Sequence, residues 1–454
     1  MNIKSTMTRR RLLSSMGSSV LIAPLAYPLL AEGLEMQRVN VNALQRTQTY
    51  KPNAFLARDF VSSRLELVRL LKEITEVEHS LMLQYLYAGF SLKPAFESLA
   101  GFGGPDSNSF IGVAVQEMQH LGSINKLLVK LGASPSLQAQ DFPYEVDIYP
   151  FAMHLEPLSR LSVAKYAYCE ANAEVIDADS SADQQFLREL EMTLRGERRI
   201  NHVGSVYAIV VSLLEQLRRV DKKLALDFDY WVPELKRIMH EGEQEHFAFF
   251  KSVFMGTHSA FVADKSWWTH SRDSSQYPAY NIVTNPTAYM MAERKIEDET
   301  ALAMAWLGNL HYWTVLVLLD FYYRTGDNDV RMMAIGHMMA TLRPLATSLC
   351  QRGYGMPFDR LSMGYSPSIS VTENLSFAMH LQTEAAEIRN RLERHLPSDY
   401  PEGIEPGFIK KMQQIVSGWS KPSPAATAKT FKAPRAGGNV FELPEVSSEA
   451  VGAS

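Results

Sequence analysis

Cysteine is nearly missing from this 454-residue chain: there are two, Cys169 and Cys350, far apart in sequence. They make no disulfide framework, and with no CxxC or CxxCH pair a zinc ribbon or covalently attached haem is not expected. Clustered positive charge is missing as well. The formal net charge is −5, and no basic run occurs outside the extreme N-terminus. Nucleic acid, which needs a focused positive field, is therefore not an expected partner. Strand signals are scarce, and no internal repeat is visible. What is present is an ordinary globular composition, 46% hydrophobic and 21% charged, enough for a large core or two to three domains.

The N-terminus reads as an address. Thr8-Arg9-Arg10-Arg11-Leu12-Leu13 resembles the twin-arginine export motif, and an apolar stretch from Leu12 to Leu30 follows. Serines, Gly17, Pro24 and Pro28 dilute that stretch, so it makes a poor membrane span, which needs about 20 predominantly apolar residues. Residues 1–31 are expected to be a signal peptide cut near Ala31, giving a periplasmic or secreted protein with no integral membrane span in its mature form. That route carries folded, cofactor-loaded proteins, and a metal protein is a natural passenger.

Between about residues 59 and 256 the apolar periodicity predicts successive long helices. They run roughly Val61–Leu92, Ser109–Leu131, Ser159–Asp177, Ala182–Arg218 and Tyr230–Phe254. Gln138 to Pro157 is irregular and long enough for a crossover. Long helices with one extended connection predict an all-α bundle. Residues 257–287 read as a linking loop. Helices at about Ala288–Arg324, Val330–Arg352, Ser370–Leu396 and Gly407–Trp419 make a second, mostly helical segment over 288–420. Residues 421–454, rich in Ala, Pro, Ser and Gly, read as a disordered tail.

Chemistry concentrates in Glu-x-x-His pairs, whose side chains leave one helix face together and can grip one ion. Glu76/His79, Glu117/His120 and Glu243/His246 fit the pattern, against about one expected by chance from this composition. Position separates them. Glu117/His120 interrupts the stripe Phe110, Val113, Leu121, Ile124, Leu128, and Glu243/His246 interrupts Val232, Leu235, Met239, Phe250, Val253. A carboxylate among such residues costs several kcal/mol unless an ion or partner compensates it. In the first helix Glu78, not Glu76, breaks the core stripe Leu67, Leu71, Ile74, Leu81, Tyr85, while His79 borders it and reads as a supporting or surface residue.

One carboxylate from each of two helices plus Glu-x-x-His from each of two others is the arrangement of ferritin-like dinuclear sites. Glu78, Glu117, His120, Glu243 and His246 supply three of its four parts. For the fourth, Glu170, His202 and Glu197 stay open, Glu197 sitting in an arginine-rich turn that reads as solvated. Tyr85 and Tyr207 lie nearest the expected site and read as core packing. His311, His337 and His380 read as packing or hydrogen-bonded residues, and the paired methionines near 332 and 338 as core. A metal-free polar network of the same residues is the competing interpretation.

These residues resemble a known family. Glu78-His79-Ser80-Leu81-Met82-Leu83-Gln84-Tyr85, Gln116-Glu117-Met118-Gln119-His120-Leu121 and Glu241-Gly242-Glu243-Gln244-Glu245-His246-Phe247 look like the ferritin-like domain of iminophenyl-pyruvate dimer synthases. Leu155-Glu156-Pro157-Leu158-Ser159, Glu170, Val203-Gly204-Ser205-Val206-Tyr207 and, more weakly, Gly355-Met356-Pro357-Phe358-Asp359 continue it. Many relatives carry Gly-Glu-Phe-Tyr where this chain has Gly204-Ser205-Val206-Tyr207, so a carboxylate is missing there and His202 or Glu170 is left to compensate. The resemblance implies a ferritin-like bundle followed by a second helical segment, and two iron ions, manganese or a mixed pair fitting the same donors. It implies a small-molecule substrate with oxygen or peroxide, and a homo-oligomer is compatible. Imine coupling is a narrower expectation, and a non-catalytic metal-binding or scaffold module the alternative. Sharing a domain does not carry the substrate over.

Overall fold

A computed structural model describes residues 63–137, 153–171, 181–194, 203–261, 266–289, 296–360 and 370–419. The leader, the C-terminal tail, His202 and Glu197 lie outside the described residues, as do parts of the linking loop.

Helix α1, Ser63–Phe90, lies along α2, Phe110–Lys130. Ser109 starts α2 by accepting the Gly112 N–H, and Gly132, at φ 80°, ends it in a left-handed turn. A capping box of Ser159 and Ser162 opens α3, Arg160–Glu170, which stops where Ala171 turns to extended backbone. That is earlier than the periodicity predicts. Within the long helix expected from Ala182 to Arg218 lie α4, Ser181–Leu194, and α5, Val203–Val220, and residues 195–202 between them are outside the described residues. The last bundle element is α6, Phe228–His240, a π turn, Glu241–His246, and α7, Phe247–Phe254. Helix α5 packs on α1 and α6, and α3 packs on α7.

The expected stripes are the observed core. Leu67, Leu71, Ile74, Leu81 and Tyr85 of α1 face Phe110, Val113, Ile124 and Leu128 of α2, all at most 1% exposed. Each such side chain contributes roughly 1.5–3 kcal/mol on burial, an upper figure for an extended unfolded chain.

The second segment holds α8 Glu299–Thr325, α9 Asn328–His337, a π turn Met338–Leu342, α10 Arg343–Gln351, α11 Val371–Leu392 and α12 Ile404–Trp419. Helix α8 starts at Glu299, not at Ala288 as the periodicity predicts. Asp298 caps it through the Ala301 N–H, whereas the Ala288 N–H is held by the Asp359 carboxylate, outside any helix. Asp359 also accepts from Asn309 Nδ2, and its carbonyl accepts from Trp313 Nε1, tying the Gly355–Asp359 stretch to α8. Helix α8 is long and apolar enough to cross a membrane, but 78% of its apolar window is buried, as in a core helix. It packs against α11 and also touches α2, and α10 touches α1, so the second segment lies on the bundle. Among the described residues no strand occurs, only an isolated antiparallel bridge between Leu92 and Ala279.

Candidate metal centre

The charged interior forms where α1, α2, α3 and the π turn meet. Glu78 comes from α1, Glu117 and His120 from α2, Glu170 from the last turn of α3, and His246 from the π turn. All five are at most 4% exposed. Oxygen and nitrogen atoms of Glu78, Glu117 and His120 lie within 4.8 Å of one another, and so do those of Glu117, Glu170 and His246. Glu117 belongs to both triads. Its Oε2 is 2.8 Å from His120 Nδ1 and its Oε1 is 3.0 Å from His246 Nδ1. Its two oxygens thus face two different imidazoles.

The surrounding groups aim these ligands. Tyr207 donates to Glu78 Oε1 at 2.5 Å, leaving Oε2 without a hydrogen-bond partner, 3.7 Å from His120 Nδ1. Tyr85 donates to Glu170 Oε1 at 2.6 Å. His120 Nε2 lies 2.9 Å from Glu241 Oε2, which also accepts from Arg237 at 2.6 Å, while Gln116 donates to Oε1. Neither ring nitrogen of buried His246 makes a hydrogen bond, although Nδ1 is close to Glu117. Tyr85 and Tyr207, read from sequence as packing, are therefore hydrogen-bond donors to the acidic groups.

Without an ion this cluster is electrostatically strained. Burial and the Glu117 charge push the Glu78 carboxyl well above its usual range, and burial with Glu117 raises Glu170 to about 7. Burial acts on Glu117 too, but His246 and His120 outweigh it and hold Glu117 well below. His120 is raised despite burial by Glu117, Glu241 and Glu78, and His246 is raised by Glu117 and Glu170. The His120 hydrogen bond holds Glu241 at about 2. Three buried carboxylates exceed two imidazolium charges, and Glu78 Oε2 and both His246 nitrogens are left unsatisfied. Cations would meet both needs, and an oxygen-and-imidazole donor set suits iron, manganese or zinc. The residues therefore fit a metal pair. Neither cysteine is a candidate ligand: both are buried free thiols whose ionisation burial opposes.

Of the residues expected from sequence, Glu78, Glu117, His120, Glu170 and His246 come together in the two triads. Glu243 does not join them. It is half-buried and borders the same small cavity, its carboxylate against Gly204, where a Cβ would collide with it. The π turn gives the reason. An extra residue in the turn carries positions three apart away from a common face, so His246 meets Glu117 and Glu170 without Glu243, while Glu241 reaches His120 from the same turn. Glu241 was not singled out by periodicity. Glu76 is half-buried and outside both triads, and His79 is buried at 1% exposure, bonded to Tyr312 of α8.

Comparison with known proteins agrees with the helical-bundle fold. Dichlorochromopyrrolate synthase of Lentzea aerocolonigenes is 24% identical over 401 aligned positions, covering 74% of this chain and 39% of that enzyme. The chain thus spans well under half the length of this relative. No solved structure matches. The family model described as Ferritin-like matches residues 71–257, from the third turn of α1 to just past α7. Residues 71–257 of this chain are a ferritin-like domain.

Proposed function

We propose that the chain is an exported dinuclear metalloprotein, an oxidoreductase that uses two iron ions with oxygen or peroxide on a small molecule. Manganese or a mixed pair suits the same donors. The observation that carries this reading is the sharing of Glu117 between two buried triads. When bound, such a pair supplies electrons and open coordination positions for the oxidant.

The chain's own residues do the positioning. Glu78 and His120 would hold one ion, Glu170 and His246 the other, with Glu117 common to both. Glu241 would accept the hydrogen bond of His120 Nε2–H, so that with an ion bound Nδ1 would present its lone pair on the side of Glu117 and Glu78. Such outer partners fix ring orientation and tautomer. Tyr207 and Tyr85 hold one oxygen each of Glu78 and Glu170. The similarity to a named synthase supports a narrower version, in which the oxidation builds a product from small-molecule substrates. Thr8–Leu13 supports export by the twin-arginine route.

Elemental analysis of protein purified from its native compartment tests the centre: two ions per chain are expected, with oxygen uptake on adding a reductant. A metal-free protein that stays empty after incubation with iron(II) or manganese(II) removes the proposal. Two bound ions without oxygen uptake leave a metal-binding module. N-terminal sequencing of the same sample checks export; an intact Met1 start in the cytosol refutes it.

A further inference from the structure

Glu78 and His79 are neighbours in α1 that face different spaces. Glu78 faces the acidic centre. His79 lines a separate cavity of about 550 Å³ enclosed by α1, α2, α8 and the α9–α10 unit. That is within the range of roughly 300–1,000 Å³ that takes one organic molecule. Its walls are largely apolar, with Met82, Leu86, Leu316 and Leu319 among them. Among its polar groups are the His79–Tyr312 pair, Tyr312 Oη lying 2.7 Å from His79 Nε2, the buried Tyr323, Ser123, and Glu234, whose carboxylate is paired with Arg237. His79 Nδ1, on a side chain 1% exposed, has no hydrogen-bond partner.

The rim has a different character. Lys126 of α2 and Arg331 of α9 both approach the Tyr322 ring, at 5.5 and 6.0 Å from its centroid, and both border the cavity. Neither has a carboxylate partner among the described residues, and both are exposed. Exposed Met339 also borders the cavity, and Phe102, 69% exposed, adjoins Gly103 of its wall. Unpaired cations beside an aromatic ring, above an apolar chamber, complement an amphipathic anion.

We propose that this cavity binds one organic anion, its apolar or aromatic body among the Met and Leu walls and its acidic group between Lys126 and Arg331. An aromatic acid and an aliphatic acid share this chemistry. The assignment rests on the cavity's own walls, so metal content measured on the same preparations separates its failure from failure of the dinuclear centre.

The test is a fluorescence titration of the full chain with 8-anilinonaphthalene-1-sulfonate, followed by competition with naphthalene-2-carboxylate and with decanoate. One saturable site is expected, emptied by at least one competitor; the more effective one identifies the body as aromatic or aliphatic. Leu319→Trp, which fills the chamber from α8, should weaken binding at least tenfold. Lys126→Ala with Arg331→Ala, both on the surface and therefore safe for folding, should weaken naphthalene-2-carboxylate about tenfold and leave naphthalene-2-carboxamide unchanged. Non-saturable probe binding, no displacement by either acid, or equal loss of carboxylate and carboxamide in the double variant would overturn the assignment.

Discussion

Two regions of this molecule bury histidines, and they solve the problem in opposite ways. In the C-terminal segment His311 Nε2 is 2.6 Å from Tyr400 Oη, Tyr400 donates to Glu405 at 2.6 Å, and His311 Nδ1 is 3.2 Å from His337 Nδ1. Because Tyr400 donates its proton to a carboxylate, His311 must donate from Nε2 and accept at Nδ1, and His337 must donate to it. One acid and two neutral rings make an ordered chain of donors and acceptors. In the bundle three acids crowd two rings, and Glu78 Oε2 and both His246 nitrogens are left without a hydrogen-bond partner. Buried histidine alone therefore does not mark a metal site. The excess of acids over rings is what supports the proposed one in the bundle.

The sharpest way to break that comparison is to delete the shared acid. Glu117→Ala should abolish binding of both ions, whereas Glu170→Ala should cost one and His311→Gln none, all read by elemental analysis at unchanged helical circular dichroism. Equal losses for Glu117→Ala and Glu170→Ala would mean a mononuclear site. Loss in His311→Gln would mean that the ordered chain of the second segment is part of the metal chemistry after all.

Much of this contrast was legible in the chain. A polar residue inside an apolar stripe of period 3.6 exposes itself, which is how Glu78, Glu117 with His120, and His246 paired with Glu243 stand out. Glu170 was weaker, because α3 is short and its faces differ little in polarity; the family resemblance favoured it as much as the helix did. Glu241 was hidden by the π turn. Periodicity assumes one residue spacing throughout a helix, and Glu241, beside Arg237, reads as a solvated ion pair. The tie between His79 and Tyr312 spans 233 residues, a separation that no local pattern encodes.

The two regions should also respond to pH with opposite sign. Burial lowers His337 to about 4, so the unfolded chain binds a proton that the folded one refuses. Its contribution is full above about pH 6.5 and is lost as pH falls toward 4, a difference of roughly 3 kcal/mol. Glu170 in metal-free protein is raised to about 7, so the folded state holds the extra proton. That contribution is full below about pH 4.5 and is lost as pH rises through 7. Denaturant melts of metal-free protein should show His337→Gln flattening the acid limb and Glu170→Gln flattening the neutral limb. Added metal ion should erase the Glu170 effect and leave the His337 effect in place; any other pairing would show that the two clusters are not independent.

The smallest effect separates aiming from holding. Tyr207→Phe removes the donor to Glu78 Oε1 and leaves every proposed ligand in the chain. A lost hydrogen bond to a charged group costs about 1.5–3 kcal/mol, and outer partners of metal ligands typically alter affinity about 10–100-fold. One ion should therefore bind about tenfold more weakly while the other is unchanged, because Tyr207 touches Glu78 and not Glu170. Tyr85→Phe should do the reverse, through Glu170. Matched titrations of the two variants would then assign each tyrosine to one half of the centre, while equal weakening of both ions by either variant would show that the halves are held as one unit through Glu117.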